Sequence, residues 1–210
     1  MKKELFIYGA GGLGKEILSL IKTLNDWTPV GFIDDGISKG TEVGGLKVLG
    51  GKDFLFSLSK ETHLILAIGD PQMKSAVVKS IKDKGFVYPV LIHPSAILQD
   101  KDSILLGEGS IITAGCVLTT NIRICNHVLI NLNTTIGHDV HIGNFCSIMP
   151  GVNVAGEVIL GDCVLVGSGA NILNRMVVSD RSKVGMGAVV IHPVEPGTTV
   201  VGVPAKRVHA

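Results

Sequence analysis

No apolar stretch in this 210-residue chain approaches the roughly 18 consecutive residues that a membrane-spanning helix requires. The start, MKKELFIYGAGG, holds only a short apolar run broken by glycines, which predicts a first β-strand and not a secretory signal. Net charge is also nearly absent. The 19 Lys and Arg residues set against 18 Asp and Glu leave +1 at pH 7, which excludes a general electrostatic grip on nucleic acid or on an anionic membrane surface. The four cysteines (Cys116, Cys125, Cys146 and Cys163) lack C-x-x-C spacing, which argues against a zinc knuckle or a redox pair. Together these absences predict a cytoplasmic protein with reduced thiols. Charge is scarcest in the second half: residues 1–103 hold 25 Asp, Glu, Lys and Arg, whereas residues 104–193 hold only 9. Two differently built regions therefore join near residue 100.

What fills the second region is a repeat. Every sixth residue from Leu106 to Val190 is a branched aliphatic, 15 in succession, including Ile112, Leu118, Ile136, Val154 and Ile172. A second register lies two residues earlier, with Ser110, Cys116, Val128, Cys146 and Ala170 among its members, and it contains no charged residue. Strand alternation sends both registers to one side and the residue between them outward. Gly107, Gly137, Gly143, Gly161, Gly167 and Gly185 follow the aliphatic position, where the sequence predicts a turn whose dihedrals suit glycine. Short strands with a turn every six residues build a polygonal coil, and Cys116 and Cys146 enter its interior as small hydrophobes.

The first region opens with an apolar strand at Leu5–Tyr8, then Gly9-Ala-Gly11-Gly12-Leu-Gly14 and a helix over Lys15–Leu24. This G-x-G-x-x-G turn presents a helix N-terminus to a phosphate. A second strand, Pro29–Ile33, ends in Asp34-Asp35, where dinucleotide folds place a ribose-binding carboxylate. Further strands are expected at His63–Ile68 and Phe86–Leu91, with a helix between them begun by Asp70 as N-cap and Pro71 at its first position. Only one mononucleotide-binding half fits before Pro94, so a mononucleotide or nucleotide sugar is expected in preference to NAD. A glycine turn that serves only strand–helix packing is the bland alternative. The expected domains are 1–94, a Rossmann-like half-domain, and 95–210, the coil with a C-terminal tail.

Residues 18 apart in such a coil stack on one another, and one corner line reads Thr120, His138, Gly156, Asn174, His192. His138 is followed by Asp139, a carboxylate able to orient it. A histidine beside a bare backbone amide suits acyl transfer: imidazole takes the nucleophile's proton and an N–H stabilises the oxyanion. The rival chemistry is a metal site drawn from His127, His138 and His141, which does not need Asp139.

The segment Asn131-Leu-Asn-Thr-Thr-Ile-Gly-His138-Asp139-Val-His-Ile-Gly143 resembles the active-site stretch of bacterial sugar O- and N-acetyltransferases of the hexapeptide-repeat superfamily. These include sialic-acid O-acetyltransferases and the nucleotide-amino-sugar N-acetyltransferases of bacillosamine and perosamine pathways. The N-terminal nucleotide-binding pattern, the His93-Pro-Ser-Ala96 junction and the terminal Gly202-Val-Pro-Ala-Lys206-Arg207 match as well. The resemblance implies 18-residue triangular turns, a left-handed parallel β-helix and a homotrimer with active sites between subunits. It implies acetyl-CoA as co-substrate and no metal. By position, His138 is the implied general base and Asp139 its carboxylate partner. Gly156, Asn174 and Lys206 fall on the acetyl-CoA side, whereas Asn131 lies near the acceptor. Gly9, Gly11, Gly12, Asp34 and Asp35 belong to the nucleotide-sugar pocket. N-acetylation of an amino sugar is the expected reaction, and O-acetylation of sialic acid the alternative; the metal-dependent enzyme above and a non-catalytic nucleotide-binding scaffold are the remaining readings. One departure stands out: some members carry a second active-site histidine where this chain has Ser147.

Overall fold

The apolar run after the initiating residues becomes the centre of a parallel sheet, because Leu5 and Ile7 have no polar edge to show to water and are fully buried. The computed structural model describes residues 2–208. In it β1 (Lys3–Tyr8) lies between β2 (Trp27–Ile33) and β5 (Leu64–Leu66), parallel to both. Helix α1 (Gly12–Thr23) follows β1 and buries Ile17, Leu18, Leu20 and Ile21. Two elements went unread in the sequence: a hairpin of β3 (Glu42–Val43) and β4 (Leu46–Gly50), and the short α2 (Lys52–Ser57). Gly44 and Gly45 turn the hairpin at φ of 59° and 85°, and β4 joins β2 in the order β3-β4-β2-β1-β5. The strand expected at Phe86–Leu91 does not form. Val87 makes one bridge to His63, and Pro89, which has no N–H, cannot continue a ladder. Helix α3 (Pro71–Ile81) begins as expected, with the Met73 N–H donating to Asp70 Oδ1 at 2.8 Å.

By internal contact the chain divides into two units: the chain up to Gly69 with Ala76–Pro89, and Asp70–Ser75 with everything from Val90 onward. The second is the left-handed parallel β-helix. Its first face runs from Leu91–Ile92 through Ile111–Ile112, Leu129–Ile130, Ser147–Ile148, Leu165–Val166 and Lys183–Val184 to Thr199–Val201. The second runs from Ile97–Leu98 to Val189–Val190, and the third from Ile104–Leu106 to Val177–Val178. The coil thus starts at Leu91, ahead of the junction placed at 94/95. The aliphatic register from Ile112 to Val190 fills the interior at 2% exposure or less, and Cys116 and Cys146 sit within it at 0%.

The 18-residue register holds in the middle and slips at both ends. Leu91 pairs with Ile111 and Ile97 with Val117, a spacing of 20, because a 3-10 turn at Lys101–Ser103 inserts two residues. Val178 meets Val194 and Val184 meets Val200, a spacing of 16. The exit end is closed by Lys206–Val208, which turns back antiparallel on Thr199–Val201. The Val189 N–H donates to Gly202 O at 3.0 Å, and Val189 O accepts from Ala205 N–H at 2.8 Å.

The corners correct one expectation. Gly107, Gly137, Gly143, Gly161, Gly167 and Gly185 are not the left-handed residues. They are small because the next coil lies against them: a Cβ on Gly137 would meet Gly156 N at 2.7 Å, one on Gly167 would meet Met186 N at 2.7 Å, and one on Gly185 would meet the Val201 side chain at 2.7 Å. The left-handed position falls two residues later and is mostly not glycine. Asn121, His127, Asn133, Asp139, Phe145, Glu157, Cys163, Arg175 and Arg181 all have φ between 52° and 63°.

Candidate active site

The G-x-G-x-x-G turn separates into two jobs. A Cβ on Gly9 would lie 2.6 Å from Ala67 O, and one on Gly14 would lie 2.2 Å from Gly9 O, so these two glycines serve strand–helix packing. Gly11 and Gly12 meet nothing within 4 Å and are exposed at the start of α1. The fold does not require them to be bare, and their open backbone is what an approaching ligand would use. Asp34 and Asp35 are partly committed to the protein itself. Asp34 Oδ2 accepts Ala10 N–H at 2.8 Å, and Oδ1 accepts Gly36 and Ile37 N–H at 2.8 and 3.0 Å. Asp35 takes the Tyr8 hydroxyl at 2.5 Å and the Lys52 N–H at 2.6 Å. Burial, then this bond, pushes the Tyr8 hydroxyl above the usual tyrosine range. The two carboxylates fix the glycine turn and the entry to α2; Asp34 is half-buried and Asp35 exposed.

In the coil, His138 and Asp139 occupy the corner between the second and third faces. His138 Nδ1 lies 2.7 Å from Asp139 Oδ2, with both side chains about half exposed. Asp139 Oδ1 accepts a hydrogen bond from Asn121 Nδ2 in the coil before. The bonds from His138 and then Asn121 hold the Asp139 carboxyl below the usual carboxylate range. An ionised Asp139 favours the imidazole proton on Nδ1, which leaves a lone pair on Nε2.

Gly156 stacks on this residue, and its smallness has a cause beside the ligand access expected of it. A Cβ there would lie 2.4 Å from His138 Nε2 and 2.6 Å from Cε1. The bare Gly156 is the floor on which the imidazole lies, in addition to any access it gives a ligand.

Asn174 is exposed, beyond Gly156 on the same line. Asn131 is not brought to His138 within one chain. It sits at the corner between the first and second faces, 5% exposed, and its Oδ1 accepts Leu132 N–H at 2.8 Å. Lys206 lies on the closing antiparallel strand of the first face, also away from His138. His141 is on the third face, between Arg123 and Ile159. His127 stacks on Phe145 with ring centroids 5.3 Å apart, and burial, followed by the Lys74 charge, pushes its imidazole down to about 4. Among the described residues no three His, Cys, Asp or Glu side chains could hold a metal ion together. Cys146 is pushed up to about 12 by burial, an inert thiol.

Two residues went unnoticed in the sequence. Asn121 is one, visible only once the 18-residue stack places it under Asp139. Lys74 is the other. It is 2% exposed, and its Nζ donates to Cys146 O at 3.2 Å and to Ser147 Oγ at 3.1 Å. Nothing in a helical lysine announces that burial.

A half-Rossmann unit with an open glycine turn, joined to a left-handed β-helix with a corner histidine–carboxylate couple, defines a class: the β-helical acyltransferases. Comparison with known proteins narrows it. Residues 4–81 match the PglD N-terminal domain. The chain is 31% identical over 152 residues to GDP-perosamine N-acetyltransferase of Escherichia coli O157:H7, covering 69% of this chain and 66%, just under two thirds, of that relative. The acetyltransferase domain of PglB from Neisseria gonorrhoeae FA1090 superposes with a TM-score of 0.92 at 31% identity, covering 99% of this chain and 100% of the domain. PerB from Caulobacter crescentus, solved with CoA and GDP-perosamine, superposes with a TM-score of 0.89 at 28% identity, covering 98% and 97%. The chain belongs to the sugar N-acetyltransferase family of hexapeptide-repeat enzymes.

Proposed function

We propose that the protein transfers the acetyl group of acetyl-CoA to the amino group of a nucleotide-linked amino sugar, with His138 as general base. The observation that carries this reading is the dyad itself: Nδ1 held by Asp139 at 2.7 Å, Nε2 laid over the Gly156 backbone. The relatives with bound CoA and GDP-perosamine support the substrate class.

The acceptor amine attacks the thioester carbonyl while its proton passes to His138 Nε2. The C–N bond forms, the oxyanion of the tetrahedral adduct develops beside the Gly156 amide, and the C–S bond then breaks. The proton on Nε2 passes to the departing CoA thiolate. Asp139 stays ionised throughout and stabilises the imidazolium. No acyl-enzyme is needed: no cysteine stands on the His138 corner line, and Cys116 and Cys146 are buried in the coil. Gly11, Gly12 and the start of α1 receive the nucleotide phosphates, with Asp34 and Asp35 beside them.

Asn131 lies at another corner of the prism and Lys206 on its first face, so they serve this site only from a neighbouring copy. A homotrimer supplies that neighbour. On the third face Leu105, and past Arg123 and His141 the stacked Ile159 and Val177, are 55%, 47% and 39% exposed, apolar surface that assembly would cover.

Thiol release from acetyl-CoA, measured against GDP-, UDP- and dTDP-amino sugars and against CMP-sialic acid, tests the reaction. Turnover is expected with an amino sugar only and lost in His138→Ala. Turnover with the sialic acid alone would replace N- by O-acetylation.

A further inference from the structure

Asp139 offers His138 one defined oxygen, and the cause lies one coil earlier. Asn121 occupies the same left-handed corner position, at φ 52°, and its side-chain amide donates to Asp139 Oδ1, leaving Oδ2 for His138 Nδ1. Asn121 is fixed in turn. Its backbone N–H donates to Ser103 Oγ at 2.8 Å, and the Ser103 hydroxyl donates to Asp100 O at 3.1 Å. The adjacent Thr120 hydroxyl donates to Asp100 Oδ2 at 2.9 Å. Asp100 and Ser103 bracket the 3-10 turn that lengthens the first coil. The insertion thus builds a platform beneath the corner that carries the dyad.

Asparagine suits this position on two counts. Its short side chain tolerates the left-handed region better than most, and its amide is a donor without charge. A carboxylate there would compete for the imidazolium. A bare corner would leave Asp139, about half exposed, to exchange rotamers.

We propose that Asn121 is a positioning residue for the acyl transfer: it holds the Asp139 carboxylate in the one rotamer that orients the His138 ring and keeps its proton on Nδ1. This rests on His138 being the base. The other ionisable groups along this corner are Asp100, Lys101 and Asp102 on one side, and Glu157 with its partner Arg175, then His192, on the other.

The test is a kinetic comparison of the 210-residue enzyme with Asn121→Gly, Asn121→Asp and His138→Ala, across the pH range in which histidine titrates. Asn121→Gly keeps a residue at ease in the left-handed corner, so Tm and both KM values are expected to hold. Its plateau kcat should fall by about three- to ten-fold, the scale of one exposed charge-assisted hydrogen bond. In Asn121→Asp the added negative charge stabilises the imidazolium. The acid limb of kcat/KM should therefore move to higher pH by about half a unit to one unit. A merely structural asparagine would move Tm and leave that limb in place. If His138→Ala abolishes turnover while both Asn121 variants keep the wild-type plateau and limb, the positioning role is refuted and the base reading stands. If His138→Ala remains fully active, the base reading falls and takes this proposal with it.

Discussion

At Gly156 the difference between no side chain and one methyl group decides where the His138 ring can lie. A Cβ would approach His138 Nε2 to 2.4 Å, so Gly156→Ala must push the imidazole off its floor and out of line with Asp139. His138→Ala is expected to lower kcat by about 10²–10⁴-fold, and Gly156→Ala should approach that loss while leaving the histidine in place. Steady-state kinetics and thermal melting on both variants check this. A Gly156→Ala enzyme with wild-type kcat would show that the ring has room elsewhere. The dyad was legible in the sequence, because adjacency and an 18-residue stack are one-dimensional facts. Why Gly156 must be glycine was not, since that depends on which way a ring lies. Asp34 and Asp35 show the same limit. Their position after a strand was readable, but not their bonds to Ala10, Tyr8 and Lys52, which tie segments far apart in the chain.

At the scale of elements, the first turn of α3 carries a cation into a place with almost no water. Burial pushes the Lys74 ammonium down from the usual 10.5 to about 8, opposed only in part by its neighbours. Between those two values the unfolded chain keeps a proton that the folded chain has released, so stability rises with pH across that window. Below about pH 8 the folded state bears the full burden of the buried charge. The rise is on the order of 3 kcal/mol for a shift of this size. Lys74→Met should abolish it, so denaturant unfolding of wild type and variant should differ in slope between about pH 8 and 10.5. Parallel curves would mean that Lys74 is not buried as charged in solution. The hexad period made the coil's strands readable, yet the corners misled. Glycines catch the eye, whereas the left-handed positions hold Phe145, Glu157, Cys163 and Arg175, residues that ordinarily avoid that region at about 1 kcal/mol or more. Ladders of hydrogen bonds from the coils on either side hold them there, and such support leaves no mark on composition. The β3–β4 hairpin escaped notice for a simpler reason: two short strands joined by Gly44-Gly45 make too little periodic pattern to see.

For the molecule as a whole, the coil raises a problem that its sequence does not advertise. Each turn of a parallel β-helix offers the next a full row of N–H and C=O groups, so an unfinished end is a template for another chain. Here the exit end is finished on all three faces. Lys206–Val208 runs backward along Thr199–Val201. Gly202 and Ala205 occupy the Val189 groups. On the third face Val194 O accepts Ser179 N–H at 3.0 Å, and Val194 N–H donates to Val177 O at 2.8 Å. The 16-residue final turn is what brings these groups into reach, and the reversal of strand direction denies a newcomer the parallel register it would need. The closing segment is thus a chain terminator in the polymer sense. The intact protein should sediment as a closed particle of about three times 22.1 kDa. The same chain cut after Val201 should keep its coil but gain a reactive edge, and sedimentation velocity should show end-to-end growth that deepens with concentration. A truncated chain that remains a discrete trimer would mean that the last hairpin guards nothing.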